Sequence, residues 1–397
     1  MATTPQELSS PPPSPAPWRD PRWRAVAFQV VMLAGVIALG IYLVSNTLDN
    51  LERQGIASGF GFWNTTAGFD IATTLIAYDE SSTYGRVFWV GLLNTLAVSA
   101  VGIVLATVLG FIVGIARLSP NWLIAKIALV YVETLRNLPL LLQIFFWYFG
   151  VLAALPTPRQ GIEMGGWLFL NNRGGYFPGL VFEGAFTWVL GTLAVGVVAA
   201  VVVARWAARR REATGRTFPT LAVVLGLVLG LPVLTFLLTG RPVSLDYPEL
   251  RGFNFRGGAT VSPEFAALLV ALATYTASFI AEIVRAGILA VNRGQTEAAL
   301  ALGLPPARTL RLIIIPQALR VIIPPLTSQY LNLTKNSSLA AAIAYPDLVL
   351  VFAGITLNQT GQAVEVIALT MAVYLTLSLT ISFLMNWYNR KMALVER

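Results

Sequence analysis

Long apolar runs separated by short polar segments dominate the sequence. Several of these runs reach the roughly 20 residues that a helix needs to cross a bilayer. The short, strictly alternating segments that are typical of membrane strands are missing from the sequence. The pattern therefore predicts an all-α, polytopic membrane protein with about eight transmembrane helices. The predicted spans are 25–44, 88–115, 131–155, 185–203, 220–238, 265–291, a seventh that begins at 317, and 363–387.

Composition supports the same class and removes several kinds of chemistry. Of 397 residues, 56% are hydrophobic and 12% are charged, whereas soluble domains carry about 25% charged residues. The chain has no Cys and no His. This excludes Cys nucleophiles, Ser-His-Asp triads, zinc clusters and disulfides. We therefore predict no catalytic residue and no metal ligand.

The N-terminal region is predicted to be a separate segment. Residues 1–24 are polar and proline-rich, so we expect a disordered tail in the cytoplasm. Basic residues precede the first apolar run, which favours a retained helix over a cleaved signal peptide. Residues 25–86 are predicted to hold this first transmembrane helix and a polar periplasmic linker.

The segment 293–316 carries the most specific pattern in the chain. Gly303 follows an Ala- and Leu-rich helical run, at the point where a helix would end in a left-handed residue, and two prolines begin a second helical run. This order predicts a helix, a sharp corner and a fresh helix start. Because Ala298, Ala299 and Gly303 carry little or no side chain, we expect a smooth surface against which another protein can pack closely.

The spacing in this segment resembles the EAA signature of ABC-importer permease subunits. Glu297-Ala298-Ala299 is followed at the family's offsets by Gly303, an Ile and a Pro, although the usual Leu before that Pro is Ile here. In that family the segment is the coupling loop, which docks on a cytoplasmic ATPase. The chain itself has no G-x-x-x-x-G-K-[ST] phosphate loop. The resemblance implies no cofactor in this chain, with ATP and Mg bound by the partner ATPase, and ATPase-coupling roles for Glu297, Ala298, Ala299, Gly303 and Arg308.

Two further segments resemble the polar and general L-amino-acid branch of this family. Residues 133–143 match its Glu, Arg, Pro-Leu-Leu and Gln positions, although Asn137-Leu138 replaces the usual Gly-Thr. Residues 324–339 match its Pro-Pro-Leu, Asn, Lys and Ser-Leu positions. The resemblance implies a permease subunit that moves L-amino acids, driven by ATP hydrolysis on partner subunits. It also implies a type I importer core within 87–397, with an added N-terminal helix and an inserted helical hairpin at 184–240.

Polar residues within the spans are candidates for the substrate path. Charges at membrane depth are costly and often functional, and a zwitterionic amino acid needs both charge signs near the midplane. Pro324 and Pro325 are expected to break the seventh span, and broken helices expose backbone groups to substrates. A snorkelling Lys335 and an anchoring Glu133–Arg136 pair are alternatives. The candidates are Glu133, Arg136, Glu282, Asn332, Lys335 and Ser338.

The distribution of charge predicts the orientation. Most of the 27 Lys and Arg residues fall on one side of the predicted spans, which indicates that this side is cytoplasmic. Both termini and the coupling loop are then in the cytoplasm of a multi-pass protein of the bacterial inner membrane. The implied partners are ATPase subunits, a second, related permease subunit in a heterodimer, a periplasmic substrate-binding protein and membrane lipid, with no nucleic acid.

Two other classes of protein are alternatives. A secondary, ion-coupled transporter of small polar solutes would show an inverted repeat and a coupling carboxylate deep in a span. An intramembrane enzyme without His or Cys would need a pair such as Lys335 with Ser337 or Ser338. The sequence leaves open which amino acids are transported, whether the permease pair is a homodimer or a heterodimer, which subunit holds the substrate pocket, and what the inserted hairpin does.

Overall fold

The computed structural model describes residues 21–53, Gly55 and residues 58–392. Residues 1–20 of the predicted tail, and the C-terminal residues from 393, lie outside the described residues. The helices are α1 (Pro21–Arg53), α2 (Tyr84–Ala116), α3 (Trp122–Asn137), α4 (Leu140–Phe145), α5 (Phe186–Thr214), α6 (Thr220–Leu225), α7 (Leu231–Leu238), α8 (Pro263–Leu289), α9 (Arg293–Ala301), α10 (Pro306–Thr309), α11 (Ile315–Asn336), α12 (Leu357–Thr360) and α13 (Ala363–Met392).

Turns of π- and 3-10 helix join several of these elements. Phe146–Leu152 continues α4, Gly226–Gly230 joins α6 to α7, Leu310–Ile314 joins α10 to α11, and Val349–Thr356 leads into α12. The first helix begins at Pro21, so the predicted tail boundary at 24 is wrong by one helical turn. A proline fits the first turn of a helix, where its missing N–H is not needed.

Helices α2 and α8 pack side by side and run in the same direction. Gly102 of α2 faces Leu269 of α8, and Gly114 further along α2 faces Val284 further along α8. The glycines allow this approach, because a Cβ at Gly110 would lie 2.6 Å from Cβ of Ile280. Both helices therefore end on the same side, which we call the loop side because the segment from α9 to α10 follows α8 there.

The parallel arrangement fixes how often the chain crosses. Within the described residues, seven helices are long and apolar enough to span a membrane, or eight if the bent pair α3–α4 counts as one span. This pair bends by 108° and starts on the loop side. Helices α5 and α6–α7 form a hairpin, so together they bring the chain back to the side from which α5 starts. For α8 to run parallel to α2, the bent pair α3–α4 must therefore cross once from the loop side to the opposite side. Its far end reaches the start of α8, where Tyr148 Oη donates to Glu264 at 3.0 Å.

The opposite side carries small β-sheets, which the sequence pattern did not predict. The strands are β1 (Ile162–Met164), β2 (Leu168–Asn171), β3 (Gly174–Phe177), β4 (Gly179–Phe182), β5 (Val243–Asp246), β6 (Glu249–Arg251), β7 (Asn254–Arg256) and β8 (Ala259–Val261). They form one antiparallel sheet in the order β1-β2-β3-β8 and two ribbons, β4-β5 and β6-β7. Phe169 stacks on Phe255 at 4.6 Å between ring centroids, so an aromatic contact joins a ribbon to the sheet. We call this the sheet side.

The predicted break of the seventh span at Pro324 and Pro325 is wrong. Both prolines lie inside α11, which continues to Asn336 and then as a 3-10 helix to Ile343. The helix ends at Ala344, which has a positive φ of 58°. Each proline removes one helical hydrogen bond, and the loss is tolerated because α11 packs between α8 and α13.

The sides on which α1, α11 and α13 begin and end follow from their neighbours in the bundle. Helix α11 leaves the loop side, and α13 begins on the sheet side and returns. The end of α1 also lies on the sheet side, because Leu43, Val44 and Thr47 line a cavity with Val364 at the start of α13. The start of α1 and the end of α13 are therefore both on the loop side, together with the segment from α9 to α10.

Candidate functional site

Helix α9 begins with a side-chain cap. Asn292 holds its side-chain oxygen toward the backbone N–H of Gly294, which donates to it at 2.8 Å. Such a cap satisfies one of the N–H groups that a helix start leaves without a partner. The cap fixes where the chain turns out of α8 and so sets the direction of α9 on the loop side.

A glycine corner ends α9. Gly303 has a φ of +75°, the left-handed region in which a Cβ is unfavourable. The N–H of Leu304 donates to the carbonyl of Ala299 at 3.1 Å, and the N–H of Gly303 donates to that of Leu300 at 2.9 Å. This pair of bonds is the Schellman motif. Pro305 then occupies the N-cap position of α10, where its carbonyl accepts from the N–H of Arg308 at 2.9 Å, so the predicted helix, corner and second helix are confirmed.

The predicted coupling residues differ in exposure. Glu297, Ala298, Gly303 and Arg308 are exposed. Ala299 is buried, with 2% of its surface accessible, on a helix that contacts α10 and the turn after it. The expectation that Ala299 forms part of an open docking surface is therefore wrong. Its small side chain instead allows the two arms of the corner to pack together.

Two apolar side chains at the corner were missed from the sequence. Leu302 is 82% exposed and Leu300 is 49% exposed, beside the exposed Gly303. Two neighbouring exposed leucines form a small apolar patch, and exposed apolar patches rimmed by polar residues mark surfaces that bind other proteins. The signal was present, because a leucine directly before a C-terminal glycine lies at the end of the helix, where no further turn can cover it.

A groove on α11 and α13 brings together two of the substrate-path candidates. Lys335 and Ser338 line a cavity of about 510 Å³. Tyr374 and Thr370 of α13 and Val349 line the same cavity, although the hydroxyl oxygen of Tyr374 is itself buried. Asn332 is exposed on the same helix as Lys335 but does not line this cavity. The groove therefore offers the ammonium group of Lys335 and the hydroxyl group of Ser338 beside a mainly apolar surface, a combination that can hold a small polar molecule.

The other candidates lie elsewhere. Glu282 forms ion pairs with Arg117 at the end of α2 and with Arg285 on its own helix. The guanidinium of Arg136 lies 5.1 Å from the ring centroid of Phe279, and Glu133 is exposed on α3. Among the ion pairs of the described residues there is no Glu133–Arg136 pair. The structure therefore does not gather the six candidates into one pocket.

The sequence matches one family model. Residues 193–394 match the description "binding-protein-dependent transport system inner membrane component". This match covers just over half of the chain. It includes the glycine corner and the groove between α11 and α13.

Three relatives are similar over nearly the whole chain. The general L-amino acid transport system permease protein AapQ of Rhizobium johnstonii is 51% identical, over 95% of this chain and 94% of its own. The putative amino-acid ABC transporter permease protein YhdX of Escherichia coli is 55% identical, over 95% and 96%. The glutamate/glutamine/aspartate/asparagine transport system permease protein BztB of Rhodobacter capsulatus is 45% identical, over 95% and 96%.

Proposed function

The chain belongs to the permease subunits of binding-protein-dependent amino-acid ABC importers, and on this premise we propose which of its residues couple ATP hydrolysis to transport. The protein is a multi-pass transmembrane subunit that translocates L-amino acids across the inner membrane. It is not an enzyme, because ATP is hydrolysed by separate partner subunits. The family works with these ATPases and with a substrate-binding protein.

The corner between α9 and α10 is the proposed ATPase-docking element. The single observation that carries this proposal is the rigid, Schellman-capped turn that holds Leu302 out of the protein with 82% of its surface exposed. Glu297, Ala298 and Arg308 form the polar edge of this surface, and Gly303 sets its shape. Ala299 is buried and contributes indirectly, because its small side chain allows α9 to pack against α10. No cofactor is expected in this chain, since ATP and Mg would be held by the ATPase.

The loop side is proposed to be the cytoplasmic side, with both termini on it. The basic cluster Arg209–Arg211 near the end of α5 and the pair Arg390–Lys391 near the end of α13 both lie on this side. A Lys and Arg excess marks the cytoplasmic side of short loops. This orientation also brings the corner to the compartment where ATP is available.

The groove between α11 and α13 is the proposed substrate path. Lys335 would bind the α-carboxylate of an amino acid, and the hydroxyl oxygen of Ser338, whose own hydrogen is donated to the carbonyl of Lys335, would accept from its ammonium group. Glu282 has a different proposed role, because both of its carboxylate oxygens are already engaged by arginines. We assign it to holding α2 against α8. Arg136, Glu133 and Asn332 stay as predicted contacts of a path that extends beyond the groove.

A second, related permease subunit is proposed to complete the transporter as a heterodimer. The groove is open along one side of α13, which bears exposed apolar residues such as Met371 and Leu375. A partner helix laid against this side would close the groove into a path. The substrates are proposed to be L-amino acids of several kinds, since AapQ is named as a general L-amino acid permease and BztB as a permease for glutamate, glutamine, aspartate and asparagine.

Co-purification with paired variants tests the proposed docking element. The tagged chain is purified from its native membrane, and the amount of bound ATPase and second permease is measured for each variant. Leu302→Asp should lose most of the ATPase but keep the second permease. Leu250→Asp, at an exposed leucine on the sheet side, is the matched control and should keep both. Retention of the ATPase by Leu302→Asp would contradict the docking surface, and transport by the chain alone without ATP would contradict the function.

A further inference from the structure

A separate basic cavity opens on the loop side of the bundle. Its volume is about 390 Å³, and it lies where α2 ends, α3 begins and α8 approaches its own end. Arg117, Lys126 and Arg285 line it together with Trp122. None of these residues belongs to the docking corner or to the groove that holds Lys335. The cavity is therefore a site for which neither ATPase docking nor the substrate path supplies a purpose.

The cavity carries an excess of positive charge. Glu282 accepts hydrogen bonds from both Arg117 and Arg285, so one carboxylate serves two guanidinium groups. Lys126 takes part in none of the ion pairs found among the described residues. Three cations against one carboxylate leave room for an anion, since cations placed close together repel one another unless a negative charge is near.

The side chains of Arg117 and Arg285 are preorganised for binding such an anion. The Arg117 side chain is 12% exposed and that of Arg285 is 31% exposed, and Glu282 fixes both in position. A guanidinium fixed in this way loses little freedom when it binds, which favours affinity. Lys126 completes the site from α3 as a flexible, exposed ammonium group.

The surroundings of the cavity indicate an anion that is attached to apolar chains. Helix α3 presents exposed apolar side chains directly beside it, with Trp122 74%, Leu123 56% and Ile127 62% exposed. The spanning helices α2 and α8 end within a turn or two of the cavity, so it lies at the depth of a membrane–water interface. Tryptophan is enriched at this depth. A free anion would gain nothing from the apolar flank.

We propose that this cavity binds the headgroup phosphate of an anionic glycerophospholipid. Arg117, Lys126 and Arg285 contact the phosphate oxygens, and the acyl chains lie along Trp122 and Ile127 of α3. Basic pockets between membrane helices bind anionic headgroups in this manner, and a guanidinium fork matches phosphate oxygens well. The bound lipid joins α2, α3 and α8 just before α8 leads into the docking corner.

Thermal unfolding of the full-length, detergent-purified and delipidated chain tests the proposal. The probes are mixed micelles containing phosphatidylglycerol, mixed micelles containing phosphatidylcholine, and inorganic phosphate alone. Ligand that binds only the folded state raises the unfolding midpoint. We expect phosphatidylglycerol to raise the midpoint by several degrees, and phosphatidylcholine and inorganic phosphate to leave it nearly unchanged.

Variants at one lysine make the result specific to the cavity. Lys126→Gln should lose most of the shift, whereas Lys126→Arg should keep it. Lys391→Gln, which removes another lysine on the loop side, should keep the full shift. Lys126 is exposed, so these variants should fold like the parent chain.

Three results would overturn the proposal. Equal shifts with phosphatidylcholine would show that the charge of the lipid is not recognised. An equal shift with inorganic phosphate would assign the cavity to a free anion instead of a lipid. An undiminished shift in Lys126→Gln would place the lipid elsewhere. The measurement needs neither ATPase nor transport, so its failure is distinguishable from a failure of the proposed docking and substrate sites.

Discussion

The backbone N–H of Leu304 donates to the carbonyl of Ala299 at 3.1 Å, a bond that passes over Gly303 and closes the end of α9. This hydrogen bond links the burial of Ala299 to the exposure of the residues around it. Ala299 is buried against α10, and the residues on either side of it are exposed. The exposure of the Leu302 side chain therefore depends on a left-handed backbone conformation that only a few residue types at position 303 can adopt.

Replacing Gly303 tests this dependence. Gly303→Val places a β-branched residue at a φ of +75°, where the strain costs about 1–2 kcal/mol. No neighbouring atom lies within 4 Å of a Cβ there, so the bundle should fold and insert almost normally. The corner should open and ATPase binding should fall, as measured by the ratio of ATPase to permease after purification.

Gly303→Asn is the matched control for this variant. Asparagine tolerates the left-handed region better than other residues with a side chain, so it should retain most of the bound ATPase. Normal ATPase binding by Gly303→Val, or an equal loss in both variants, would show that the backbone geometry of the corner is not what the ATPase recognises.

Removing the ammonium group from the groove tests the substrate path. Lys335→Met should abolish most amino-acid uptake while leaving the assembled complex intact, because Lys335 is exposed in the groove and a charged hydrogen bond to a carboxylate contributes about 1.5–3 kcal/mol. Uptake of a labelled amino acid into vesicles containing the complete transporter provides the measurement. Lys391→Met is the control, and unchanged uptake by Lys335→Met would remove Lys335 from the path.

The ion pairs of Glu282 are expected to stabilise the bundle. Glu282→Gln removes the negative charge between Arg117 and Arg285, which leaves two guanidinium groups facing each other. The Glu282 side chain is 28% exposed, so solvent screens part of the loss. We expect a destabilisation of about 1–3 kcal/mol, seen as a lower thermal midpoint of the purified chain. Loss of uptake with an unchanged midpoint would instead support the original prediction that Glu282 lies on the substrate path.

The contact between α2 and α8 should tolerate no added side chain. Gly110→Ala would place a Cβ 2.6 Å from Ile280, so α2 must move away and stability should fall by roughly 1–3 kcal/mol. Gly191→Ala in α5 is the matched control, since nothing lies within 4 Å of its Cβ and alanine favours a helix. Equal thermal midpoints for both variants would contradict the close approach of these two helices.

Local features were readable from the sequence because they depend on neighbouring residues. An apolar run predicts a spanning helix wherever it occurs, and the number of spans followed from the runs. The corner at Gly303 was also predictable, because a glycine after a helical run and two prolines define it within a few residues. The family could be identified for the same reason, since its signature is a pattern of nearby positions.

Features that join distant parts of the chain were decided only by the tertiary structure. The pairing of β3 with β8 joins Tyr176 to Thr260, and no local pattern specifies such a register. The burial of Ala299 depends on a helix that follows it, and the ion pair between Arg117 and Glu282 depends on α2 and α8 running parallel. Pro324 and Pro325 would end an isolated helix, but α8 and α13 pack against α11 and offset the lost hydrogen bonds. The sequence alone therefore determined the membrane helices, the corner and the family, whereas packing decided which side chains of the site are exposed, paired or buried.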